Sequence, residues 1–378
     1  MRILKSNLLN DGKLFNDGRP VDLIQIEDAR DYDTLLSNII NSNYYDSAYF
    51  KNHIDYPEGQ VKFDALYLAA IIAFLKPRSL LELGCGRGDV LFLLSLLNQF
   101  RVQGIDLSRD ILKKAWPPLA PNLACGELLE SLEAFQKKGL RFNTFCGFDI
   151  WEHLHPRRLH DTIAALAALA EEDAFFFFII PAIGTDKVFG EIFPLELEEN
   201  HFNFSEGNPF NYLNAEIIDP PIPANGHLIW APTEWWQKQF EQHGLVRAEE
   251  IEINIHHYFD EHLFYAQKSF FLFHRNSGAS RRRIRQLSKN GLTLFKKWRI
   301  LLNQAKRITA YEQRHLTRVI NGEELASTLH HAEFYMSEDM ERRIGEISFP
   351  PSRRVAQKVY REYLTYHKKS LRNRRHEN

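Results

Sequence analysis

Short apolar runs alternate with amphipathic stretches between residues 61 and 182. The apolar runs are typical of strands buried on both faces, and several end in glycine or aspartate. The stretches between them carry apolar residues three or four positions apart, the spacing of a helix with one buried face. The predicted strands are 79–83, 102–106, 122–125, 142–148 and 174–181, and the predicted helices are 61–75, 90–97, 111–115, 128–138 and 157–170. Such an alternation predicts an α/β fold with a mostly parallel sheet covered by helices on both faces.

The pattern changes after residue 182. Residues 183–231 are rich in Asn, Pro and Phe, show no helix or strand period and exceed the length of an ordinary connection. We therefore predict that this insertion forms a lid or a wall of a binding site. Beyond it, we predict a helix over 233–243, a strand in the alternating segment 246–255 and another strand over 268–274.

Charge divides the chain into an acidic body and a basic C-terminal region. The whole sequence has 47 Lys and Arg and 49 Asp and Glu, a net charge of −2. Residues 277–378 hold 23 Lys and Arg and 10 Asp and Glu, a net charge of +13, which leaves −15 for the remainder. Between 281 and 308 apolar residues recur at helical spacing among the cations. This basic helix can pack on the body or on a second copy, which we favour, or contact an anionic membrane; nucleic acid is the least favoured partner.

Two features of the composition narrow the class of protein. No apolar run reaches the ~20 residues that cross a bilayer, and the N-terminus lacks the apolar core of a signal peptide. The three cysteines, Cys85, Cys125 and Cys146, form no CxxC pair, so we expect reduced thiols and no zinc site. We accordingly expect a cytoplasmic protein, with at most peripheral membrane contact through 281–308, and no metal centre.

A glycine-rich turn follows the first predicted strand, in the segment LELGCGRGD at 81–89. Glycine tolerates positive φ and lets a ligand approach the backbone, and ligands of parallel sheets bind beyond the carboxyl ends of the strands. A dinucleotide-binding G-x-G-x-x-G motif would need glycine at position 89, where Asp89 stands, and a phosphate-binding P-loop would need a following Lys and Ser or Thr. With Glu82 two residues before the first glycine, the turn favours a ligand that carries a cationic group.

Asp106 ends the second predicted strand, where a carboxylate can accept hydrogen bonds from both hydroxyls of a ribose. The segments LELGCGRG at 81–88 and GIDLS at 104–108 resemble the S-adenosylmethionine site of the class I methyltransferases. The resemblance implies a Rossmann-like fold with a seven-stranded, mostly parallel sheet in the order 3-2-1-4-5-7-6, and S-adenosylmethionine as the cofactor. The cofactor-binding residues that it implies are Glu82, Gly84, Cys85, Gly86, Gly88, Asp106, Leu107, Glu127 and Asp149.

The segment FNTFCGFDIWEHLHP at 142–156 resembles the end of the fourth strand in the same family, where an acid precedes Glu-His-Leu. Methylation of a hydroxyl requires removal of its proton, and imidazole suits that task near neutral pH. His153 is therefore the first candidate for the general base, and His227 in the segment GHLIW is the second. The alternative for His153 is that it caps or packs the helix that follows.

Aromatic residues of the insertion are interleaved with Asn, Asp, Glu and His, a combination suited to the CH faces and hydroxyls of a sugar. The candidate acceptor-binding residues are Glu152, Trp230, Trp235, Tyr44 and Tyr45. The segments 181–194 and 226–245 resemble methyltransferases encoded with bacterial surface-glycan enzymes, which implies O-methylation of a sugar or a surface-glycan precursor. The alternative for the aromatic residues is that they form a small satellite core.

Three regions follow from these patterns. We expect an N-terminal helical and aromatic cap at 1–60, a methyltransferase domain at 61–275 with the insertion as an acceptor-binding lid, and a basic helical region at 276–378. Two other functions stay open. One is methylation of a lipid, a quinone or a small aromatic metabolite, and the other is a catalytically silent module that recruits glycan enzymes, membrane or RNA through the basic region.

Overall fold

The computed structural model describes residues 1–5, 22–45, 60–97, 101–182, 198–249, 251–252, 269–288 and 333–335. Its strands are β1 (Arg2–Leu4), β2 (Leu23–Gln25), β3 (Gln60–Lys62), β4 (Ser79–Leu83), β5 (Arg101–Asp106), β6 (Leu123–Cys125), β7 (Phe142–Phe148), β8 (Ala170–Ile180), β9 (Tyr212–Ile218), β10 (Pro221–Pro223), β11 (Leu245–Arg247), β12 (Ser269–Arg275) and β13 (Glu333–Tyr335). Its helices are α1 (Ala29–Asn41), α2 (Phe63–Phe74), α3 (Asp89–Leu97), α4 (Arg109–Leu112), α5 (Leu128–Lys137), α6 (Leu159–Ala168), α7 (Glu198–Ser205), α8 (Thr233–Glu241) and α9 (Gly278–Ser288). The predictions made for residues 183–197, 253–255 and 289–308 lie outside the described residues.

The central sheet has seven strands in the order β6-β5-β4-β7-β8-β12-β11. Strands β4 to β8 run parallel, and β12 runs antiparallel to both of its neighbours. Numbered along the chain, this order is 3-2-1-4-5-7-6, so the predicted topology is confirmed. The predicted strands 79–83 and 142–148 match β4 and β7 residue for residue. Because the strand order reverses between β4 and β7, the loops that follow these two strands meet at the carboxyl edge of the sheet.

Strand β8 is buried on both faces. Its segment Phe175–Ile180 is fully buried, as the uninterrupted apolar run predicts. Side chains alternate between the two faces, so Phe175 and Phe177 pack with α2 and α3, whereas Phe176 and Phe178 pack with α6 and α8. The apolar layers on both sides leave the charged side chains of this sheet near the ends of the strands.

The N-terminal segment and the insertion together form a second sheet, the cap sheet, in the order β1-β2-β9-β10. Strand β2 pairs antiparallel with β9, and the register partners Ile24 and Leu213 are fully buried in the core that contains α6 and α8. The described part of the insertion 183–231, whose sequence shows no sustained period, contains α7, β9 and β10. Residues 213–217 of β9 alternate between apolar and polar, which is a short strand signal, but its partner β2 lies far away in the chain and could not be identified from that pattern.

The strand predicted over 246–255 is shorter than expected. Strand β11 ends at Arg247, and the N–H of Glu252 donates to the carbonyl of Ala248 at 3.2 Å in a helical turn. This turn brings the Glu252 carboxylate back to the Arg247 guanidinium (Nε to Oε1, 2.9 Å) and to the N–H of Leu272 in β12 (2.6 Å). A buried ion pair therefore takes the place of the expected strand end.

The first part of the basic region, helix α9, packs on the body of the protein. Ile284 and Leu287 are buried in the same core as α2 and α3. The Arg283 guanidinium donates to the carbonyl of Lys76 at 2.9 Å, and its Nη1 lies 3.4 Å from Asp173 Oδ2. The apolar stripe of α9 is thus a packing face. No helix among the described residues is both long and apolar enough to cross a lipid bilayer.

Arg78 joins the start of β4 to the start of β8, and this contact predicts a pH-dependent contribution to stability. Arg78 forms a bidentate ion pair with Asp173 (2.8 and 2.9 Å), and its hydrogen bonds lower the pKa of Asp173 below the ordinary value. Such a carboxyl stabilises the fold above its unfolded-state pKa of about 3.9 and loses that contribution as the pH falls through the folded-state pKa. We expect Asp173→Asn to lower the free energy of unfolding by about 1 kcal/mol at neutral pH and by less below about pH 4.

Denaturant unfolding at several pH values measures this difference in the free energy of unfolding. The matched control is Glu133→Gln, which changes an exposed carboxylate on α5 to an amide. Asn resembles protonated Asp, so the variant and the wild type should become similar in acid. An equal loss of unfolding free energy at neutral pH and in acid would therefore contradict the role given to the Arg78–Asp173 ion pair.

Candidate active site

Three glycines carry the chain from β4 into α3. Gly84, Gly86 and Gly88 have φ values of +63°, +55° and +83°, in the left-handed region that glycine enters without strain. A Cβ at Gly88 would lie 3.0 Å from Leu119, whereas a Cβ at Gly86 would meet no described atom within 4 Å. Gly86 therefore faces open space, into which a ligand can come. A Cβ at Gly84 would lie 3.1 Å from Ile150, so the glycine turn touches the loop after β7.

Asp106 supports this turn from the end of β5. Its Oδ2 accepts the Gly86 N–H at 2.7 Å, and its Oδ1 accepts the Ser108 N–H at 2.8 Å. Burial raises the pKa of Asp106, and the two backbone hydrogen bonds oppose that shift. Each oxygen keeps acceptor capacity for a hydroxyl, which suits the predicted ribose contact. Leu107, the next residue, is 52% exposed and offers apolar surface there.

Glu82, the penultimate residue of β4, is the most deeply buried acid near the glycine turn. Among the described residues its Oε2 has no hydrogen-bond partner. Burial, and after it the Asp89 and Asp106 carboxylates, raise the pKa of Glu82 well above its ordinary value. A buried carboxyl group is costly until a partner satisfies it, so Glu82 fits the predicted cofactor contact.

Structural contacts account for two other predicted cofactor residues, Cys85 and Glu127. Cys85 packs against Gly104, where a Cβ would come within 2.7 Å of its sulfur, and burial raises the pKa of the thiol well above its ordinary value. Glu127 Oε2 accepts the Glu130 N–H at 3.1 Å as the N-cap of α5, and Arg158 Nη1 lies 3.4 Å from the same oxygen. A contact of either residue with the cofactor stays a prediction.

The charge of Asp89 is neutralised inside the fold. Asp89 Oδ1 accepts hydrogen bonds from Arg87 Nε at 2.8 Å and from Trp116 Nε1 at 2.6 Å, and both charged side chains are buried. Asp89 therefore does not contribute to the preference for a cationic ligand that the sequence predicted for this turn, because Arg87 supplies the compensating charge. The acidic character of the site comes from Glu82 and Asp106.

The loop after β7 forms a tight 3-10 turn over Trp151–His153. Asp149, just before it, has a left-handed φ of +53°. Trp151 is fully buried and packs edge-to-face on Phe178 of β8, with ring centroids 4.8 Å apart. The buried indole holds the turn in place and leaves its two polar residues at the carboxyl edge of the sheet.

Two backbone hydrogen bonds join the insertion to this turn. The carbonyl of Glu152 accepts the N–H groups of Leu228 at 2.8 Å and Ile229 at 2.9 Å, which brings His227 beside the turn. His153 Nε2 lies 3.6 Å and His227 Nε2 lies 3.7 Å from Glu152 Oε1, and the two imidazole centroids are 4.7 Å apart. Glu152, His153 and His227 are called the imidazole cluster below. Both predicted base candidates thus lie together, although they come from distant segments.

Tyr45 reaches the imidazole cluster from the N-terminal segment. Its hydroxyl oxygen lies 2.8 Å from His153 Nδ1 and 3.4 Å from the carbonyl oxygen of Gly226. A Cβ at Gly226 would come 2.2 Å from that hydroxyl oxygen, so a glycine is required for Tyr45 to approach. Gly226 was not among the predicted site residues, and its signal in the sequence is its place directly before His227.

The other predicted acceptor residues differ in their surroundings. Trp230 borders the imidazole cluster, with its ring centroid 5.1 Å from that of His227. Trp235 instead packs edge-to-face on the buried Trp236, at 5.0 Å. The Tyr44 hydroxyl donates a hydrogen bond to Glu216 Oε2 of β9 at 2.5 Å. Among the ring contacts of these three side chains in the described residues, the one between Trp230 and His227 involves the imidazole cluster.

Residues 61–247 contain the glycine turn, Asp106 and the imidazole cluster, and they match the family described as a methyltransferase domain. This part of the chain belongs to that family. The cofactor of the methyltransferase domain is S-adenosylmethionine, which the open glycine turn, the acid at the end of β5 and the family together indicate. Among curated proteins, none matches the sequence.

Several solved structures are similar to the methyltransferase domain. An O-methyltransferase family protein from Burkholderia thailandensis has 14% identity and a TM-score of 0.37, over 56% of this chain and 55% of that one. The 1,6-didemethyltoxoflavin-N1-methyltransferase of the same organism has 15% identity and a TM-score of 0.39, over 68% and 95%. A methyltransferase from Clostridium acetobutylicum has 14% identity and a TM-score of 0.36, over 63% and 100%. The chain spans about half the length of the first of these, and such similarities carry no argument about the acceptor.

The open space at Gly86 predicts a selective loss of cofactor binding in Gly86→Ala. The added methyl group would occupy that space, and the φ of +55° adds strain of about 1 kcal/mol. Gly139, after α5, offers a matched control, because its φ is +68° and a Cβ there also meets no described atom within 4 Å. We expect similar losses of stability in Gly86→Ala and Gly139→Ala. Only Gly86→Ala should bind S-adenosylhomocysteine at least about tenfold more weakly by calorimetry. Equal affinities in the two variants would place the cofactor elsewhere.

Proposed function

We propose that the chain transfers a methyl group from S-adenosylmethionine to a hydroxyl oxygen of a sugar or a surface-glycan precursor. In such a transfer the methyl carbon leaves sulfur for oxygen, and the hydroxyl loses its proton. The observation that carries the proposal is the imidazole cluster at the carboxyl end of β7, beside the glycine turn. The close approach of Ile150 to Gly84 joins the two loops, so neighbouring strands supply the cofactor-binding and proton-accepting groups.

His153 and His227 are the candidate general bases. The Tyr45 hydroxyl orients the His153 ring through Nδ1, and the Nε2 atom of that ring lies 3.6 Å from Glu152 Oε1. His227 brings its Nε2 to 3.7 Å from the same carboxylate oxygen. A carboxylate beside an imidazole stabilises the positive charge that the ring gains with a proton. In this proposal Glu152 orients the two rings and stabilises that charge, and one of the rings accepts the proton.

The surroundings of the imidazole cluster suit a hydroxylated ring as the acceptor. Trp230 is half-buried beside His227 and can cover the CH face of a sugar, while the hydroxyl of Tyr45 and the imidazole nitrogens can bind its hydroxyls. A lipid or a quinone would need a more uniformly apolar lining than these residues provide. This mixture of one flat aromatic face and several polar atoms favours the sugar over the apolar acceptors.

The basic region is proposed as a surface for peripheral contacts, apart from the reaction itself. In α9 the apolar residues Ile284 and Leu287 pack on the body, while three arginines of the same helix are exposed. Exposed cations can meet an anionic membrane or an acidic partner enzyme. The remainder of 281–308 lies outside the described residues, so peripheral contact through this region, and a cytoplasmic location, stay predictions.

Removal of either imidazole tests the proposed reaction. We expect His153→Ala and His227→Ala each to lower the transfer rate at least about 100-fold, because a general base contributes that much. The affinity for S-adenosylhomocysteine should stay within about twofold of the wild type, since neither ring belongs to the glycine turn. Mass spectrometry of sugar nucleotides, quinols and catechols, each scored for the gain of one methylene unit, measures the transfer and identifies the acceptor class.

His160→Ala is the matched control for these variants. His160 also pairs with a second imidazole (Nδ1 to His243 Nε2, 3.1 Å), but it is exposed on α6. Full turnover in both cluster variants would exclude a role for either ring in removing the proton. Methylation confined to quinols or catechols would replace the sugar by an aromatic acceptor.

A further inference from the structure

The imidazole cluster brings three potential metal ligands together at one point. One ligand atom from each of Glu152, His153 and His227 lies within 4.8 Å of the others. Ligand atoms that share one ion at about 2.1 Å are separated by roughly 3 Å or slightly more. The carboxylate-to-imidazole distances of 3.6 and 3.7 Å are close to that separation, so small side-chain rotations would allow all three atoms to bind one ion.

The donor set selects a class of ion. Two imidazole nitrogens and one carboxylate oxygen suit first-row divalent cations and leave coordination positions open, whereas Mg²⁺ and Ca²⁺ prefer oxygen ligands. We propose that the imidazole cluster binds one divalent cation of the Zn²⁺, Co²⁺ and Mn²⁺ class. This site differs from the expectation of no metal centre, because cysteine spacing carries no information about it and His227 comes to the side of Glu152 only in the folded chain.

Burial of the three side chains, and a hydrogen bond at the other ring nitrogen of His153, support this site. The side chain of Glu152 is fully buried, and those of His153 and His227 are 14% and 9% exposed, so an ion held there would be largely shielded from bulk water. Histidines that bind metals are commonly oriented by a hydrogen bond at their other nitrogen. His153 Nδ1 lies 2.8 Å from the Tyr45 hydroxyl and 3.3 Å from the Gly226 carbonyl oxygen, and these contacts orient the ring with its Nε2 on the side of Glu152.

The backbone also fixes the ligands relative to one another. Glu152 and His153 are adjacent in the turn that the buried Trp151 holds in place. His227 is fixed by the N–H groups of the next two residues, which both donate to the Glu152 carbonyl (2.8 and 2.9 Å). The site is therefore built on rigid neighbours, as a site of defined geometry requires.

A bound cation has a consequence for methyl transfer that rests on the proposed function. An acceptor hydroxyl in an open coordination position loses its proton more readily. The oxygen lone pair then forms the new O–C bond, the S–C bond breaks with its electron pair kept by sulfur, and the hydroxyl proton passes to water. In the metal-bound form the two imidazoles would hold the cation instead of accepting the proton, whereas in the metal-free form one of them accepts it as in the proposed function.

Cobalt binding by the full-length protein tests the site without reference to activity. The protein is dialysed against EDTA, returned to metal-free buffer and titrated with CoCl₂, and the visible absorption of Co²⁺ and the metal content after gel filtration are measured. We expect one Co²⁺ per chain at the cluster, with weaker binding of Mg²⁺. Glu152→Gln, His153→Gln and His227→Gln should each weaken Co²⁺ binding at least about 100-fold, and Tyr45→Phe about tenfold.

His160→Gln is the matched control, since it removes an exposed imidazole pair and should leave the site intact. Thermal unfolding of the metal-free variants, within a few degrees of the metal-free wild type, would show that a loss of binding is not a loss of fold. Failure of the wild type to bind Co²⁺, or undiminished binding in the three ligand variants, would overturn the site.

Chelation separates this inference from the proposed function. A full transfer rate in excess EDTA would support free-imidazole catalysis and overturn the role of the cation in the reaction. Loss of transfer in EDTA, with recovery on addition of Co²⁺ or Zn²⁺, would support that role. A protein that binds Co²⁺ at the cluster but methylates no hydroxyl acceptor would keep the site and overturn the proposed function alone.

Discussion

Burial of the central strands on both faces governs the rest of the structure. Strand β4 is buried along its whole length, and Phe175–Ile180 of β8 are fully enclosed between two helical layers. Neighbouring strands satisfy the backbone polar groups of such strands, but charged side chains have no favourable place between the layers. The groups that can perform chemistry are therefore collected at the carboxyl edge, where Glu82, Asp106 and the imidazole cluster lie.

Acids near the glycine turn differ in how their charge is compensated. Asp89 is paired with Arg87 and hydrogen-bonded to Trp116, so its charge is internal to the fold. Glu82 and Asp106 are also buried, but burial raises their pKa values because no cation of the described residues is paired with them. A ligand with a cationic sulfur and ribose hydroxyls would supply the missing partners. The distribution of compensating charge thus separates a structural acid from acids that can bind the cofactor.

The imidazole cluster depends on three segments of the chain. The turn after β7 supplies two of its residues, the insertion supplies His227, and the N-terminal segment supplies Tyr45. Pairing of β2 with β9 in the cap sheet joins the last two segments, and the hydrogen bonds to the Glu152 carbonyl join the insertion to the central sheet. The insertion is consequently part of the site itself, and the N-terminal segment, which lies outside residues 61–247, adds Tyr45 to it.

Local patterns were sufficient for the strands β4 and β7 of the central sheet and for the glycine turn that follows β4. β4 and β7 were predicted residue for residue because their apolar runs reflect burial on both faces, and the glycine turn was predicted because backbone conformation depends on immediate neighbours. The cap sheet and the imidazole cluster could not be predicted, because they arise from contacts between distant segments. Tyr45 and His153 are in contact although they are 108 residues apart in the sequence, and His153 and Gly226 are in contact although they are 73 residues apart. The amino-acid sequence by itself determined the inner strands of the central sheet and the reactive side chains, and the tertiary structure decided which of those side chains meet, because only packing brings remote segments within a few ångströms.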